Sequence, residues 1–262
     1  MGDFLDKLAK TAEKNVKSDY YKDFASIPRI NASLKQKILN EKKVAVISEI
    51  KSASPSAGII RKSIDPNKIA KSMEKGGAIG LSVLTEPIHF KGSLKTLEIA
   101  RRSVKLPILM KDIILFPIQI EAANKLGANS VLLIQALFDR GYCNYKLEEM
   151  IDIAHSKELE VLLETHNQKE FKSAIETKAD LVGINNRDLG SLKINLNTTK
   201  EILKKINKKN KIVISESGIN NIADLSFLYS FGVDAFLIGS AIMKSRDIQE
   251  KVREFVSAIE EN

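Results

Sequence analysis

The chain has 262 residues, of which 44% are hydrophobic and 28% charged, with a formal net charge of +8 and one cysteine, Cys143. This is globular composition, with enough apolar content for a sizeable core and none of the bias of a disordered chain. One cysteine excludes an internal disulfide and any multi-cysteine zinc or iron–sulfur centre, and three scattered histidines leave no metal site expected; a reducing cytoplasm is the expected compartment.

The first 43 residues carry an amphipathic pattern over Phe4, Leu5, Leu8, Ala12 and Val16, then a second apolar set around Leu34 and Ile38. They read as a helical extension, a floor or a lid for the rest of the chain, and residues 1–262 read as one domain. Charges recur every few residues in "MGDFLDKLAKTAEKN", so no secretory leader is expected. The longest apolar runs, "DIILFPIQI" and "VLLIQALF", fall far short of the roughly 20 residues that cross a bilayer, so no membrane association is expected.

From Val44 onward, short segments rich in aliphatic and β-branched residues recur: "VAVISEIK", "GLSVLTE", "PILMKD", "NSVLLIQ", "EVLLET", "LVGINN", "KIVISES" and "AFLIGS". Between them the apolar period changes to that of a helix, over Pro66–Lys75, Leu94–Ser103, Pro117–Leu126, Leu147–Lys157, Gln168–Thr177, Thr198–Asn207 and Ile222–Phe231. Such alternation calls for a parallel sheet covered by helices, and about 250 residues suit an α/β fold of the (β/α)8 TIM barrel type. An open doubly wound sheet is the alternative, but no strand runs into a GxGxxG turn.

Polar residues interrupt these apolar strands near their C-terminal ends, which form the active-site mouth of a barrel. The two-residue strand period places Ala45, Ile47, Glu49 and Lys51 on one face. Later strands end on Lys111, Glu164, Asn185 and Glu216. Any one of these could be a strand cap or a surface ion pair. Together, two lysines and three carboxylates sent to one dry space must pair closely and shift one another's proton affinities, as acid–base chemistry requires. At the last two strands, Ser217 with Gly218 and Gly239 with Ser240 offer hydroxyls and open backbone amides where barrels commonly hold phosphate. Plain turns would explain either pair alone. The positive charge lies mostly in mixed runs such as "KEILKKINKKNK", without interleaved aromatics, and reads as a solvated surface; a catalytically silent, nucleic-acid-binding barrel stays as a rival function.

In this order, "EIKSASPSAG", "VLTEPIHFKGS", "LMKDI", "ETH", "GINNRDL", "SESGI" and "IGSAIM" resemble the indole-3-glycerol phosphate synthase family of tryptophan biosynthesis, over essentially the whole chain from Val44. The resemblance implies a (β/α)8 barrel with a helical extension over its mouth, no metal and no organic cofactor. The implied substrate is 1-(2-carboxyphenylamino)-1-deoxyribulose 5-phosphate, closed to indole-3-glycerol phosphate with loss of carbon dioxide and water. It implies Lys111 as the acid at the substrate carbonyl, Glu164 as its acid–base partner, and Glu49 with Lys51 as a second pair. Lys51 would also lie near the phosphate. Asn185 and Arg187 would bind substrate, Glu216 would complete the charge network, and Ser217, Gly218, Gly239 and Ser240 would hold the phosphate. Ser54, Pro55 and Ser56 would line the substrate loop, with Phe90, Ile113 and Leu133 as the apolar wall for the aromatic ring.

Three positions depart from the family pattern. Ser52 stands where relatives often carry a basic residue, Ile113 where they often carry phenylalanine, and Ala57 lengthens the "SPSG" loop by one residue. No catalytic group is lost, and activity is expected. A phosphoribosylanthranilate isomerase, the nearest rival barrel, would carry a cysteine at the end of strand one, where Glu49 and Lys51 stand. A monomer, or at most a weak oligomer, acting on a small phosphorylated molecule is the expected state.

Overall fold

The computed structural model describes residues 2–55 and 58–259. In chain order its first half comprises α1 (Phe4–Lys17), α2 (Leu34–Leu39), β1 (Val46–Ile50), the short hairpin β2 (Ala53–Ser54) and β3 (Gly58–Ile59), α3 (Pro66–Lys75), β4 (Gly80–Leu84), α4 (Leu94–Ser103), β5 (Ile108–Lys111) and α5 (Pro117–Lys125). There follow β6 (Ser130–Ile134), α6 (Gln135–Asp139), α7 (Leu147–Ser156), β7 (Glu160–Thr165), α8 (Gln168–Ala174), β8 (Leu181–Asn185) and α9 (Asn197–Lys205). The chain ends with β9 (Ile212–Glu216), α10 (Ile222–Tyr229), β10 (Ala235–Ile238), α11 (Ser240–Lys244) and α12 (Ile248–Val256).

Strand β1 and strands β4 to β10 close into a parallel barrel in which β1 pairs with both β4 and β10. Each strand is buried on both faces, which explains why these segments read as nearly continuous aliphatic runs. Two apolar layers result. Val46, Val131, Leu133, Leu163 and Val182 pack outward against the helices, while Ile47, Leu109, Leu162, Leu181 and Ile214 fill the barrel itself.

The interior column extends at both ends into the N-terminal segment. Leu34 and Ile38 of α2 join the apolar set of Ala45, Ile79, Ile212 and Ala235, residues at the strands' starting ends, and so form a floor. Leu5, Leu8, Ala9 and Ala12 of α1 join Ile113, Leu115, Leu137 and Leu189 over the opposite end. The extension is therefore both floor and lid. Polar ties fix the lid: Asp3 and Asp6 share Arg140 at 2.7 and 3.0 Å, Tyr142 donates to Asp6 at 2.7 Å, and Tyr20 donates to the Thr85 carbonyl at 2.9 Å.

Local chemistry explains where the helices start. Asp65 caps α3 with Pro66 in its first turn, Ser93 caps α4, and Asn167, Asn221 and Asp247 cap α8, α10 and α12. Helices α8, α9 and α10 stop two or three residues before the sequence pattern fades, within the usual fraying of helix ends.

Candidate active site

The side chains at the mouth reach one space because strand parity and register agree around the barrel. Ile134 of β6 lies beside Glu164 of β7, and Asn185 of β8 beside Glu216 of β9. A cavity of about 630 Å³, partly open to solvent, is lined by Glu49, Lys51, Ser54, Phe90, Lys111, Ile113, Glu164, Asn185, Arg187 and Ser217 from the expected set. An adjoining cavity of about 440 Å³ shares Glu49, Lys51, Lys111, Arg187 and Ser217 and adds Gly218, Gly239 and Ser240. One compartment thus has apolar walls, and the other is a corner of hydroxyls, open backbone and cations.

Lys111 is the hub. Its ammonium nitrogen lies 2.5 Å from Glu216 Oε2, 3.6 Å from Glu164 Oε2 and 3.7 Å from Glu49 Oε2. Lys51 pairs separately with Glu49 Oε1 at 2.8 Å. Burial opposes charge on Lys111, but Glu216, Glu49 and Glu164 together hold its proton affinity well above that of a free lysine. Burial likewise opposes charge on Glu164, yet Lys111 and then His166 outweigh it, and the carboxyl falls to about 2. For Glu49 the same opposition is won by Lys51 and Lys111, so it too is lowered. Three carboxylates share two ammonium groups here, and Glu216, wholly buried and facing the charges of Glu164 and Glu49, is pushed up to about 7 in spite of Lys111.

Two glycines make room for this cluster. A side chain at Gly239 would place its Cβ 2.6 Å from Glu49 Oε1 and 2.8 Å from Lys51 Cε. One at Gly183 would come 2.3 Å from Glu216 Oε1. Contacts this short are not tolerated by real Cβ atoms, so the charged groups occupy space that any other residue would fill. Ser217 adopts a left-handed φ of 64° and Gly218 one of 87°, turning the chain sharply at the corner shared with Gly239 and Ser240.

Other expected residues fall elsewhere. Leu133 does not form the apolar wall: its side chain packs among the outward-facing set with Val131 and Leu163. Its neighbours Leu132 and Ile134 line the cavity instead, because alternate strand residues face opposite ways and Ile134 is the one beside Glu164. Pro55 sits half-buried in the turn after Ser54, and is not among the lining residues. Ser56 and Ala57 lie outside the described residues. At the departures from the family pattern, Ile113 keeps an apolar side chain on the wall, and the Ser52 carbonyl accepts from the backbone of Ile60 and Arg61.

The cavity also holds residues that sequence reasoning missed. Leu8 and Leu189 come from the lid and from the loop after β8, by long-range packing that no local pattern announces. Glu86 accepts from the backbone of Ile88, His89 and Phe90 at 2.9, 2.7 and 3.0 Å, shaping the loop that presents Phe90. Asp112, next to Lys111, accepts from Tyr21 at 3.0 Å and Thr85 at 2.5 Å, and burial pushes it up to about 6. Asn186, buried behind the cavity and lining neither compartment, donates to Ser215 Oγ and the Glu216 carbonyl, both at 3.0 Å, and so ties the ends of β8 and β9 together. The doubled asparagine of "GINNRDL" was the available signal for that last residue.

The whole chain can be set beside known proteins. Residues 5–255 match the family profile described as indole-3-glycerol phosphate synthase. The chain belongs to the indole-3-glycerol phosphate synthase family. It is accordingly a carboxy-lyase of tryptophan biosynthesis. The indole-3-glycerol phosphate synthase of Methanocaldococcus jannaschii is 43% identical over 97% of this chain and 88% of its own length. That of Caldanaerobacter subterraneus is 42% identical over 84% of this chain and 83% of its own, and that of Aquifex aeolicus 41% over 84% of each. Among solved structures, a thiamine phosphate pyrophosphorylase from Pyrococcus furiosus superposes with a TM-score of 0.58 at 18% identity, covering 86% of this chain and 97% of its own, which speaks for the barrel alone.

Proposed function

We propose that the mouth of this barrel closes, decarboxylates and dehydrates 1-(2-carboxyphenylamino)-1-deoxyribulose 5-phosphate, with the cluster around Lys111 carrying the proton transfers. The observation behind this reading is the single ammonium of Lys111 set among Glu49, Glu164 and Glu216, beside a corner lined by Ser217, Gly218, Gly239 and Ser240. In the first step the ring carbon bearing the carboxylate attacks the ketone carbon. Negative charge develops on the ketone oxygen, and Lys111, kept protonated by its three neighbours, stabilises that charge and supplies the proton. The bond to the carboxyl group then breaks, its electron pair restores the aromatic ring, and carbon dioxide leaves.

Dehydration needs an acid at the departing hydroxyl and a base at the proton whose loss completes the pyrrole. Lys51, on the boundary between the two compartments, takes the first role, and Glu164, held ionised, takes the second. Glu49 orients Lys51 at 2.8 Å, and Glu216 fixes Lys111. Asn185 and Arg187 contact the substrate, Asn185 accepting the Arg187 backbone N–H at 3.0 Å and so setting the turn that carries the guanidinium. Ser54, Phe90, Ile113, Leu132 and Ile134 enclose the aromatic ring.

Residues 1–262 act as one catalytic domain, with 1–43 as its extension, working as a monomer in the cytoplasm. The unpaired Cys143 suits a reducing compartment, and among the described residues no helix is long and apolar enough to cross a membrane. The +8 charge serves in attracting a small anion, with no role for nucleic acid. Incubation with the carboxyphenylamino-deoxyribulose phosphate should release indole absorbance and fluorescence. Substrate that persists unchanged beside folded protein would refute the reading.

A further inference from the structure

The "ETH" segment brings Glu164 to the cavity, but its histidine lines neither compartment. His166 lies against Glu164 from outside the cavity, with its side chain only 9% exposed. Its Nδ1 hydrogen-bonds with Glu170 Oε2, on the first turn of α8, at 3.2 Å, and its Nε2 lies 3.1 Å from Glu164 Oε1, at ion-pair distance but not aligned for a hydrogen bond. Glu170 is itself held: the His166 backbone donates to Oε2 at 2.8 Å, Asn167 Nδ2 donates to Oε1 at 2.5 Å, and the Glu170 N–H donates to Asn167 Oδ1 at 3.0 Å. An imidazole with a carboxylate close to each nitrogen is favoured as the cation, with both nitrogens protonated.

The charged groups facing the ring are Glu164 from β7, Glu170 from α8 and Asp188 from the loop after β8, all of them acidic. Burial opposes the imidazolium, but the contacts with Glu164 and Glu170 outweigh it and raise His166 to about 9. It is therefore a buried cation at neutral pH. Its charge faces the Glu164 oxygen that Lys111 does not, since Lys111 faces Oε2.

We propose that His166, clamped by Glu170, is a positioning residue for the reaction, one that pins Oε1 of Glu164 so that Oε2 stays ionised and aimed at Lys111 and the substrate. The inference rests on Glu164 being the proton acceptor. A free Glu164 carboxyl could rotate and share Lys111 with Glu49 and Glu216 in several ways; a fixed cation at Oε1 favours one of them. Neither His166 nor Glu170 touches the substrate in this scheme.

The test is steady-state turnover against pH for the full chain and three variants, His166→Gln, Glu170→Gln and Glu164→Gln. Glutamine at 166 keeps a donor but cannot carry charge. His166→Gln is expected to lower kcat about tenfold with KM held within about twofold, and to move the acid limb of kcat upward by about half a pH unit or more as Glu164 loses a cation. Glu170→Gln should bring the alkaline limb down from near pH 9, because the imidazolium loses a partner. A fall in kcat with both limbs at their wild-type positions would mean a merely structural residue and would overturn the proposal, as would wild-type kcat in His166→Gln. If His166→Gln shows no thermal unfolding transition, the alkaline limb of Glu170→Gln decides. Glu164→Gln separates the two levels: wild-type turnover there overturns the role of Glu164 and the clamp together, whereas an inactive Glu164→Gln beside an unshifted His166→Gln overturns the clamp alone.

Discussion

Gly183 on β8 leaves the space in which Glu216 of β9 reaches Lys111: a Cβ at 183 would sit 2.3 Å from Glu216 Oε1 and 3.4 Å from Leu162 Cδ1. A glycine buried in a strand otherwise weakens it and packs nothing. Here it lets a carboxylate lie across its neighbouring strand and deliver Oε2 to the ammonium at 2.5 Å. Gly183→Ala is expected to push Glu216 aside and reduce kcat about tenfold or more, while overpacking costs about 1–3 kcal/mol of stability. Thermal unfolding with turnover on the same sample checks it: a folded Gly183→Ala protein with wild-type kcat would show that the position of Glu216 does not matter to the reaction.

Lys111→Ala and Glu164→Gln should each lower turnover by about 100-fold or more, the usual contribution of a positioned acid or base. Their effects on stability should differ. Removing Lys111 leaves three buried carboxylates without their shared cation, a change of the kind that costs about 3–5 kcal/mol. Glu164→Gln keeps the shape and removes one of the competing negative charges, so its unfolding temperature should stay closer to wild type. Turnover and calorimetry measured in parallel decide both points, and near-wild-type turnover in either variant removes that residue from the mechanism.

The corner of Ser217, Gly218, Gly239 and Ser240, proposed to hold the phosphate, gives a third expectation. Gly239 has an ordinary negative φ, so alanine there meets side chains and no backbone strain: Glu49 Oε1 at 2.6 Å, Lys51 Cε at 2.8 Å and Glu49 Cβ at 3.0 Å. Gly239→Ala should therefore displace Lys51 and raise KM as well as lower kcat. Ser240→Ala removes one hydroxyl from the corner and should mainly raise KM, by about tenfold or more, since a hydrogen bond to a charged group is worth about 1.5–3 kcal/mol. Substrate saturation curves that coincide for wild type and Ser240→Ala would place the phosphate elsewhere.

Local rules explain what could be read in advance. The bounds of α3 and α4 were legible because Asp65 with Pro66, and Ser93, are start signals that need no tertiary partner. The convergence of Glu49, Lys51, Lys111 and Glu164 followed from strand period plus barrel closure. Non-local or unpunctuated features are not legible in the same way. Helix α6 escaped because "VLLIQALF" runs from strand into helix without a break in hydrophobicity. Helix α12 had its capping Asp247 and the spaced Ile248, Val252 and Phe255, and was legible in principle. Leu133 faces the helices and not the cavity, as the parity of Ile134 and Glu164 dictates, and the role of Gly183 depends on a side chain two elements away.

The last expectation concerns pH and Glu216. Its carboxyl is raised from an ordinary 4.5 to about 7, mainly by burial and then by the charges of Glu164 and Glu49, with Lys111 opposing. A carboxyl whose folded value exceeds its unfolded value binds its proton more tightly in the native state. Its stabilising contribution is complete below the unfolded value and is lost as pH rises from about 4.5 through about 7. This is the reverse of Glu164, whose lowered value of about 2 gives stability above pH 4.5 that disappears only on acidification toward 2. Glu216→Gln mimics the protonated carboxyl at every pH. Relative to wild type, its unfolding temperature should therefore rise between pH 5 and pH 8. Thermal melts of both proteins at those two pH values measure the difference, and a gap that is constant or closes with rising pH would mean that Glu216 is ionised throughout, stabilised by Lys111 more strongly than burial and its carboxylate neighbours oppose it.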